Sequence, residues 1–499
     1  MTRTRTLMMT SALALVSALP AYADLTAEQV LADQLRQMEL YGMSAEVTGQ
    51  SRLGDTLTVD GIVASAETPD AKIMMEIGGA NFRELGDGTV EVTYPDIIPM
   101  SIKGTTIDEE PFEMAVSMSQ TNTRMVVSGI PEEITYNFTS EAFSIDGMEF
   151  IAPEEAAELD MDIAVQIAGL SGIGRFVGGG TVRDYTADIN VDSMSATISG
   201  APEDDAGNFS LVMEIADVVA DYEGSVAPQN LMASFAQSIE AGNETNGTAS
   251  HGPLTYTISG DGPDGTFDIA AAIASGAFEF AMGRTGLDYT TTANAMTVSV
   301  GGDFMPLPPL TFKMAESGMR FAMPVVPSEE EQDFGLRLSF GGLEVDPTLW
   351  GMIDPAGQIP RDPATLTVDL DGAVVMLEDV FDPAFAEEMT GVPGQINALN
   401  INEILLTIAG AELTGDGAFT FNNEGFMPMP SGVVNLMLTG GNGLLDTLVN
   451  MGLVPEEQAM GARMMMGLFA QPGDGDDTLV STIEVQEDGS VLANGQRIR

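Results

Sequence analysis

Hydrophobic and polar residues alternate along most of this chain. Phe112, Met114, Val116 and Met118 fall on one side of an extended segment, with Glu113 and Ser117 on the other. The same period of two appears at Leu57 and Val59, at Ile73, Met75 and Ile77, and at Val90, Val92 and Tyr94. It returns at Met296–Val300, Leu310–Met314 and Met319–Met323. Phe334, Leu336, Leu338 and Phe340, then Leu366, Val368 and Leu370, then Ile404, Leu406 and Ile408 continue it. Each such segment predicts a strand with one buried face. Turn signals separate them at Gly86-Asp87-Gly88, Asp261-Gly262, Asp264-Gly265, Asp416-Gly417 and Asp488-Gly489. Tyrosines 136, 185, 256 and 289 each open a strand–turn–strand block, at spacings too uneven for a repeat. A final hairpin pairs Thr478–Val485 with Ser490–Ala493.

Helical spacing interrupts this pattern. Thr26 and Gln29 form a capping box ahead of Val30, Leu31, Leu35 and Met38, which predicts a helix to Tyr41 closed by Gly42. Further helices are predicted at Pro228–Ala241, Leu349–Ile353 and Asp379–Met389. Leu444–Met451 and Pro455–Ala470 predict a helical hairpin turned at Gly452. The expected fold is β-rich α+β: extended antiparallel sheets, as two β-lobes or one long curved groove-like sheet, with helices at the N-terminus and near the C-terminus. The Gly/Asn/Thr/Ser-rich stretch 242–252 is the candidate linker. It divides an N-terminal β-rich lobe, 24–245, from a C-terminal one, 246–499, that carries the helical hairpin 444–470.

Residues 1–23 add an address. Arg3 and Arg5 precede the apolar run Leu7–Leu19, and Ala21-Tyr22-Ala23 supplies a small-x-small cleavage site. The expectation is a signal peptide cut after Ala23, and a periplasmic or secreted mature protein beginning at Asp24. No later stretch is long and apolar enough for a transmembrane helix; Ile269–Met282 comes nearest and Glu279 interrupts it. The 499-residue chain has no cysteine, so core burial must replace disulfides. It carries 75 acidic residues against 18 basic ones, a net charge of −57. That balance disfavours nucleic acid and anionic lipid headgroups, because both need clustered cations.

Candidate chemistry is sparse. His251, the only histidine, sits among small polar residues without a G-x-S-x-G elbow, and reads as an exposed loop residue. Carboxylate pairs could serve glycoside hydrolysis, but one tryptophan, Trp350, offers little platform for sugars. Asp474-Gly475-Asp476-Asp477 resembles a calcium run, but Leu479 and Val485 occupy the positions that need Gly and Glu. Met427-Pro428-Met429 and Met464-Met465-Met466 could offer thioethers to Cu(I). Most of the 33 methionines instead alternate within strands as adaptable apolar filler, a property that also suits a groove for varied lipid tails. No catalytic, cofactor-binding or metal residue is assigned.

From Trp350 to Gly372 the chain reads WGMIDPAGQIPRDPATLTVDLDG. This segment, the leader, the opening helix LTAEQVLADQ and the C-terminal VQEDGSVLANGQRI resemble the exported Gram-negative domain-of-unknown-function family 2125. The resemblance implies export and carries no residue roles. The C-terminal order of strands, two Gly-linked helices and the IEVQEDGSVLANG hairpin also resembles AsmA-like envelope proteins. That implies an extended β-groove and lipid handling, although AsmA-like proteins keep a membrane helix where this chain has a cleavable leader. Within the segment, Pro355, Pro360 and Pro363 hold an extended loop, Asp362 can bond backbone beyond it, and Arg361 can pair with Asp354 or Asp362. The function expected is a non-catalytic envelope protein that binds a lipid or other hydrophobic ligand in a β-groove. The alternatives are a structural or interaction protein with a closed core, and a carboxylate-dependent hydrolase.

Overall fold

The computed structural model describes residues 24–67, 72–105, 111–151, 160–201, 207–228, 234–263, 265–305, 307–382, 385, 394–425 and 428–499. The leader expected at 1–23 lies outside them. So do most of the helix expected at Asp379–Met389 and the first half of the one expected from Pro228.

The strands begin with β1 (Ser44–Leu53), β2 (Thr56–Glu67), β3 (Lys72–Glu84), β4 (Val90–Thr93), β5 (Ile97–Thr105), β6 (Pro111–Thr121) and β7 (Arg124–Ile130). Four long ones follow: β8 (Glu133–Ile151), β9 (Asp160–Val177), β10 (Arg183–Ala201) and β11 (Asn208–Val226). Then come β12 (Glu244–His251), β13 (Leu254–Gly262), β14 (Gly265–Ile273), β15 (Ser275–Gly283), β16 (Gly286–Gly302), β17 (Leu310–Met323) and β18 (Gln332–Leu343). The series ends with β19 (Ala364–Met376), β20 (Gly394–Ile408), β21 (Ala411–Asn422), β22 (Met429–Thr439), β23 (Gln471–Pro472), β24 (Thr478–Val485), β25 (Val491–Ala493) and β26 (Gln496–Arg497). The helices are α1 (Ala27–Leu40), α2 (Phe235–Ala241), α3 (Pro347–Ile353), α4 (Gly441–Asn450) and α5 (Glu456–Phe469).

All strands join one antiparallel sheet, so of the two arrangements expected the single sheet is observed. Most of its order follows the chain, with the non-consecutive pairs β3–β5, β4–β7, β6–β8 and β22–β24 among the exceptions. The pairs β1–β2, β2–β3, β8–β9, β9–β10 and β10–β11, and every pair from β16–β17 to β21–β22, join consecutive strands. Short strands share one lane end to end: β12 and β13 both pair with β11, and β14 and β15 both pair with β16. Antiparallel neighbours in sequence need only short turns, as Ala409-Gly410 shows with both φ positive, at 54° and 79°.

Two sequence expectations fail. Residues 244–251, read as linker, are β12, paired on both sides with β11 and β15. The division expected between 245 and 246 falls within this strand. Small and polar residues hid its alternation: Thr245, Gly247, Ala249 and His251 are half-buried while the residues between them are exposed. Asp416-Gly417, read as a turn, lies mid-strand in β21, where Asp416 accepts from Asn435 Nδ2 of β22 at 3.3 Å.

A seam crosses the strands. Asn122, Gly169, Asp217, Ala295 and Gly342 have φ of 50°, 63°, 53°, 51° and 68°, in the left-handed region. They run from the turn between β6 and β7 to β18, and the register brings them onto one transverse line. Between β9 and β10 the register is unchanged across it, Ser193 facing Ala168 and Asn190 facing Ser171, so these strands each spend one residue there; at Gly342 the β18–β19 register slips by one. The seam residue switches parity. In β11, Phe209, Leu211, Met213 and Ile215 face inward before the seam, and Val218, Ala220 and Tyr222 after it. The apolar side therefore stays on one face through a strand of 19 residues.

Fully buried core is concentrated under α1. Val30, Leu31 and Leu35 pack on Leu57, Val59, Phe82, Val90, Val92, Val127 and Ile134. Thr26 and Gln29 form the expected capping box. A buried ion pair ties this helix to the middle of the sheet. Arg183 Nη1 donates to Asp33 Oδ1 at 2.6 Å, and Tyr136 Oη donates to Asp33 Oδ2 at 2.7 Å. Arg183 is wholly buried, with its guanidinium 5.3 Å from the centre of the Phe176 ring. Burial and the Asp33 carboxylate push the Tyr136 hydroxyl well above the usual phenol range.

Two predictions follow from these contacts. Asp33→Ala strands a buried guanidinium and should lower stability by about 3–5 kcal/mol in chemical unfolding, with much of the loss recovered by adding Arg183→Met. At the seam, a Cβ on Gly169 would lie 2.0 Å from Asp192 Oδ2. Gly169→Ala should therefore cost about 1–3 kcal/mol, whereas Ala295→Gly, which relieves a left-handed alanine, should gain roughly 1 kcal/mol.

Candidate functional site: a transverse apolar face

Register places the apolar side chains in rows that run across the strands. One row begins under α1 with Val90, Val127 and Tyr136, and passes through Gly174, Ala187, Tyr222 and Gly247 to Phe280 and Tyr289. It continues through Phe321, Leu336, Leu370, Ile401, Gly417, Val434 and Ile483 to Ala493. From Tyr136 onward this spans roughly 65 Å at about 4.8 Å per strand. Phe278 and Tyr289 meet edge to face at 5.1 Å on this stretch.

Burial changes along the row. Val90 and Val127 are fully buried beneath α1, but Tyr222, Phe280, Tyr289 and Leu336 are only half-buried, and Phe321 is 38% exposed. The principal helix-to-sheet contacts are those of α1 with β1–β3 and of α4 with β21, near the two ends. The accessible surface is 29615 Å², against about 17,500 Å² for a compact monomer of this mass. Among the described residues, much of the apolar side of the sheet is only half-buried.

Glycines keep that side low. A Cβ on Gly247 would lie 2.3 Å from the Tyr222 ring, and one on Gly372 would lie 2.7 Å from the Phe334 ring. Each ring lies across its neighbour strand in the space a side chain would take.

The opposite face is polar. One residue along from the apolar row, Asp188, Asp221, Thr248, Glu279, Thr290, Arg320, Arg337, Asp369 and Glu403 form a parallel row. Arg320 bonds Asp288 at 2.7 Å, and Arg337 bonds Asp369. Exposed pairs of this kind contribute at most about 1 kcal/mol each. Asp188 and Asp221 stand directly opposite each other, and the hydrogen bond between them raises the Asp221 carboxyl above its ordinary value. This carboxylate pair lies on open surface, not in the cleft that a hydrolase requires.

The residues weighed from sequence take these places. His251 is a half-buried strand residue, not an exposed loop residue; its Nδ1 lies 2.7 Å from the Gly252 carbonyl, and its ring lies over Gly276. Asp477 caps α4, accepting from Gly443 N at 2.8 Å and Asn442 Nδ2 at 2.8 Å. Met427 lies outside the described residues. Among the described residues no group of three or more histidines, aspartates or glutamates could hold a metal ion. In the Trp350–Gly372 segment, Arg361 approaches Asp354 at 4.0 Å, stacks 5.5 Å from the Trp350 ring and donates to the Asp354 carbonyl at 2.9 Å. The backbone-bonding role expected of Asp362 is played by Asp354. Its carboxylate is fully buried and accepts from Gln358 N at 2.9 Å and Ile359 N at 2.8 Å.

A family model described as "Uncharacterized protein conserved in bacteria (DUF2125)" matches residues 237–496. The chain belongs to this family. The DUF2125 region starts within α2 and ends in β26, so it takes in the apolar row from Gly247 to Ala493 and both C-terminal helices. α1 and β1–β11 lie outside it. No curated protein and no solved structure matches the chain.

The Gln358 and Ile359 N–H groups hold the Asp354 carboxyl below its ordinary value. A carboxyl that ionises more readily when folded stabilises fully above the unfolded value of about 3.9, and that contribution is lost as pH falls through the folded one. Asp354→Asn should thus be less stable than the parent at neutral pH, with the difference shrinking in acid; thermal unfolding from pH 7 to pH 3 measures it.

Proposed function

We propose that this DUF2125 protein is an exported, non-catalytic envelope component that holds a lipid or other hydrophobic ligand along the apolar face of its sheet. The observation that carries the reading is the row from Tyr222 to Ile483, which is continuous, apolar and largely half-buried. A closed-core scaffold would bury such a row fully, as α1 buries Val90 and Val127. An aqueous compartment gives an uncovered face of this length a strong reason to bind apolar matter, since each methylene removed from water contributes about 0.8 kcal/mol. Periplasmic delivery after cleavage at Ala23 agrees with the leader and with the absence of cysteine. Lipid handling agrees with the AsmA-like order of the C-terminal elements. The carboxylate-rich opposite face keeps the molecule in solution and repels anionic surfaces, so the ligand's tail, not an anionic headgroup, is the recognised part.

The test is to express the chain with its own leader, purify it from the periplasm and examine it by native mass spectrometry. The expected result is a chain starting at Asp24 with lipid bound, and at least tenfold weaker binding of a fluorescent fatty acid in the variant Phe280→Glu/Tyr289→Glu. A ligand-free chain that does not bind the probe would overturn the reading.

A further inference from the structure

The C-terminal helical hairpin leaves a cleft of about 290 Å³ between α5 and the sheet. Its floor is Leu413, Leu438 and Leu479, and its roof is Met465, Met466 and Phe469. The polar atom at its edge is satisfied: Ser481 Oγ donates to the Phe469 carbonyl at 2.6 Å. The volume is about twice that of an apolar cavity that takes a benzene ring, ~150 Å³. A roof rich in methionine adapts to ligands of differing shape.

The floor decides the ligand's form. Leu413, Leu438 and Leu479 face one another on adjacent strands. The same line continues outward through Leu406 and Leu366 to Phe340. The cleft is thus the covered end of an open apolar row. A compact ring system would fill only the covered end. An unbranched hydrocarbon chain can fill it and lie along the open row beyond.

We propose that the cleft under α5 is a binding site for the terminal part of a lipid acyl chain. The proposal rests on the reading of the apolar face as a ligand surface, and names where the chain end is held and which chemistry is selected. The methionines at 465 and 466 serve as a hydrocarbon roof here, while Met460 and Met464, at 65% and 72% exposure, point away from the cleft into solvent.

The test uses the full mature protein and a palmitate analogue with a diazirine at its chain terminus. Photolabelling should mark the peptide that spans Met465 to Phe469. Met466→Trp, which fills the cleft from its rim, should cut that label at least tenfold and leave labelling elsewhere on the sheet unchanged. Met460→Gln, on the solvent side of α5, should leave it intact. Label on the open rows with none in the hairpin would overturn this site while leaving the general reading standing, and so would a hairpin label indifferent to Met466→Trp. No label anywhere would overturn both.

Discussion

The structure depends on one constraint: each long strand must keep its apolar side chains on the same face from end to end while staying in register with both neighbours. In strands of eighteen and nineteen residues the alternation of this chain is interrupted once, and the apolar set changes parity there. The seam is the solution. One residue per strand leaves the pleat, the parity of alternation switches, and between β9 and β10 pairing resumes without a shift. Gly169 shows the steric demand, because the Asp192 side chain of the next strand occupies the space its Cβ would need. Ala295 shows that the demand is met even where no glycine is present and the backbone bears strain.

That constraint explains what could be read from the residues alone. Phe112–Met118, the α1 capping box, the hairpin of α4 and α5 and the closing strands β24 and β25 were legible, because each follows from a short window of pattern. β12 was not, because Thr245, Gly247 and Ala249 face inward without being strongly apolar. Its strand character comes from pairing with β11 and β15, which no local window contains. Asp416-Gly417 looked like a turn for the converse reason: a dipeptide that favours turns is held extended by ladders on both sides. The seam did leave a trace, the change from Phe209-Leu211-Met213-Ile215 to Val218-Ala220-Tyr222. It reads as broken alternation until the neighbouring strands show the same break at the same level. The apolar rows were hidden for a similar reason, since a row draws one residue from each strand and becomes visible only with the register.

The molecule separates its chemistry by side. Carboxylates and the few cations occupy one face, where exposed pairs such as Arg320–Asp288 contribute little to stability but keep the sheet wetted. The other face collects aromatic and aliphatic side chains, with helices over its two ends. The loop 354–363 of the Trp350–Gly372 segment belongs to neither role. The buried Asp354 carboxylate organises the loop between α3 and β19 from within, which gives this segment a structural reason for its particular residues.

The sequential pairing of strands has a consequence for how the chain acquires its shape. Most strands pair with the one before them, so much of the order can spread from one end as the polypeptide emerges, with short loops to close at each step. Asp33 is different, because its partner Arg183 lies 150 positions later. The opening helix can pack on β2–β4, β7 and β8 first, but its buried ion pair cannot close until β10 has been laid, which makes that pair a later checkpoint on the assembly.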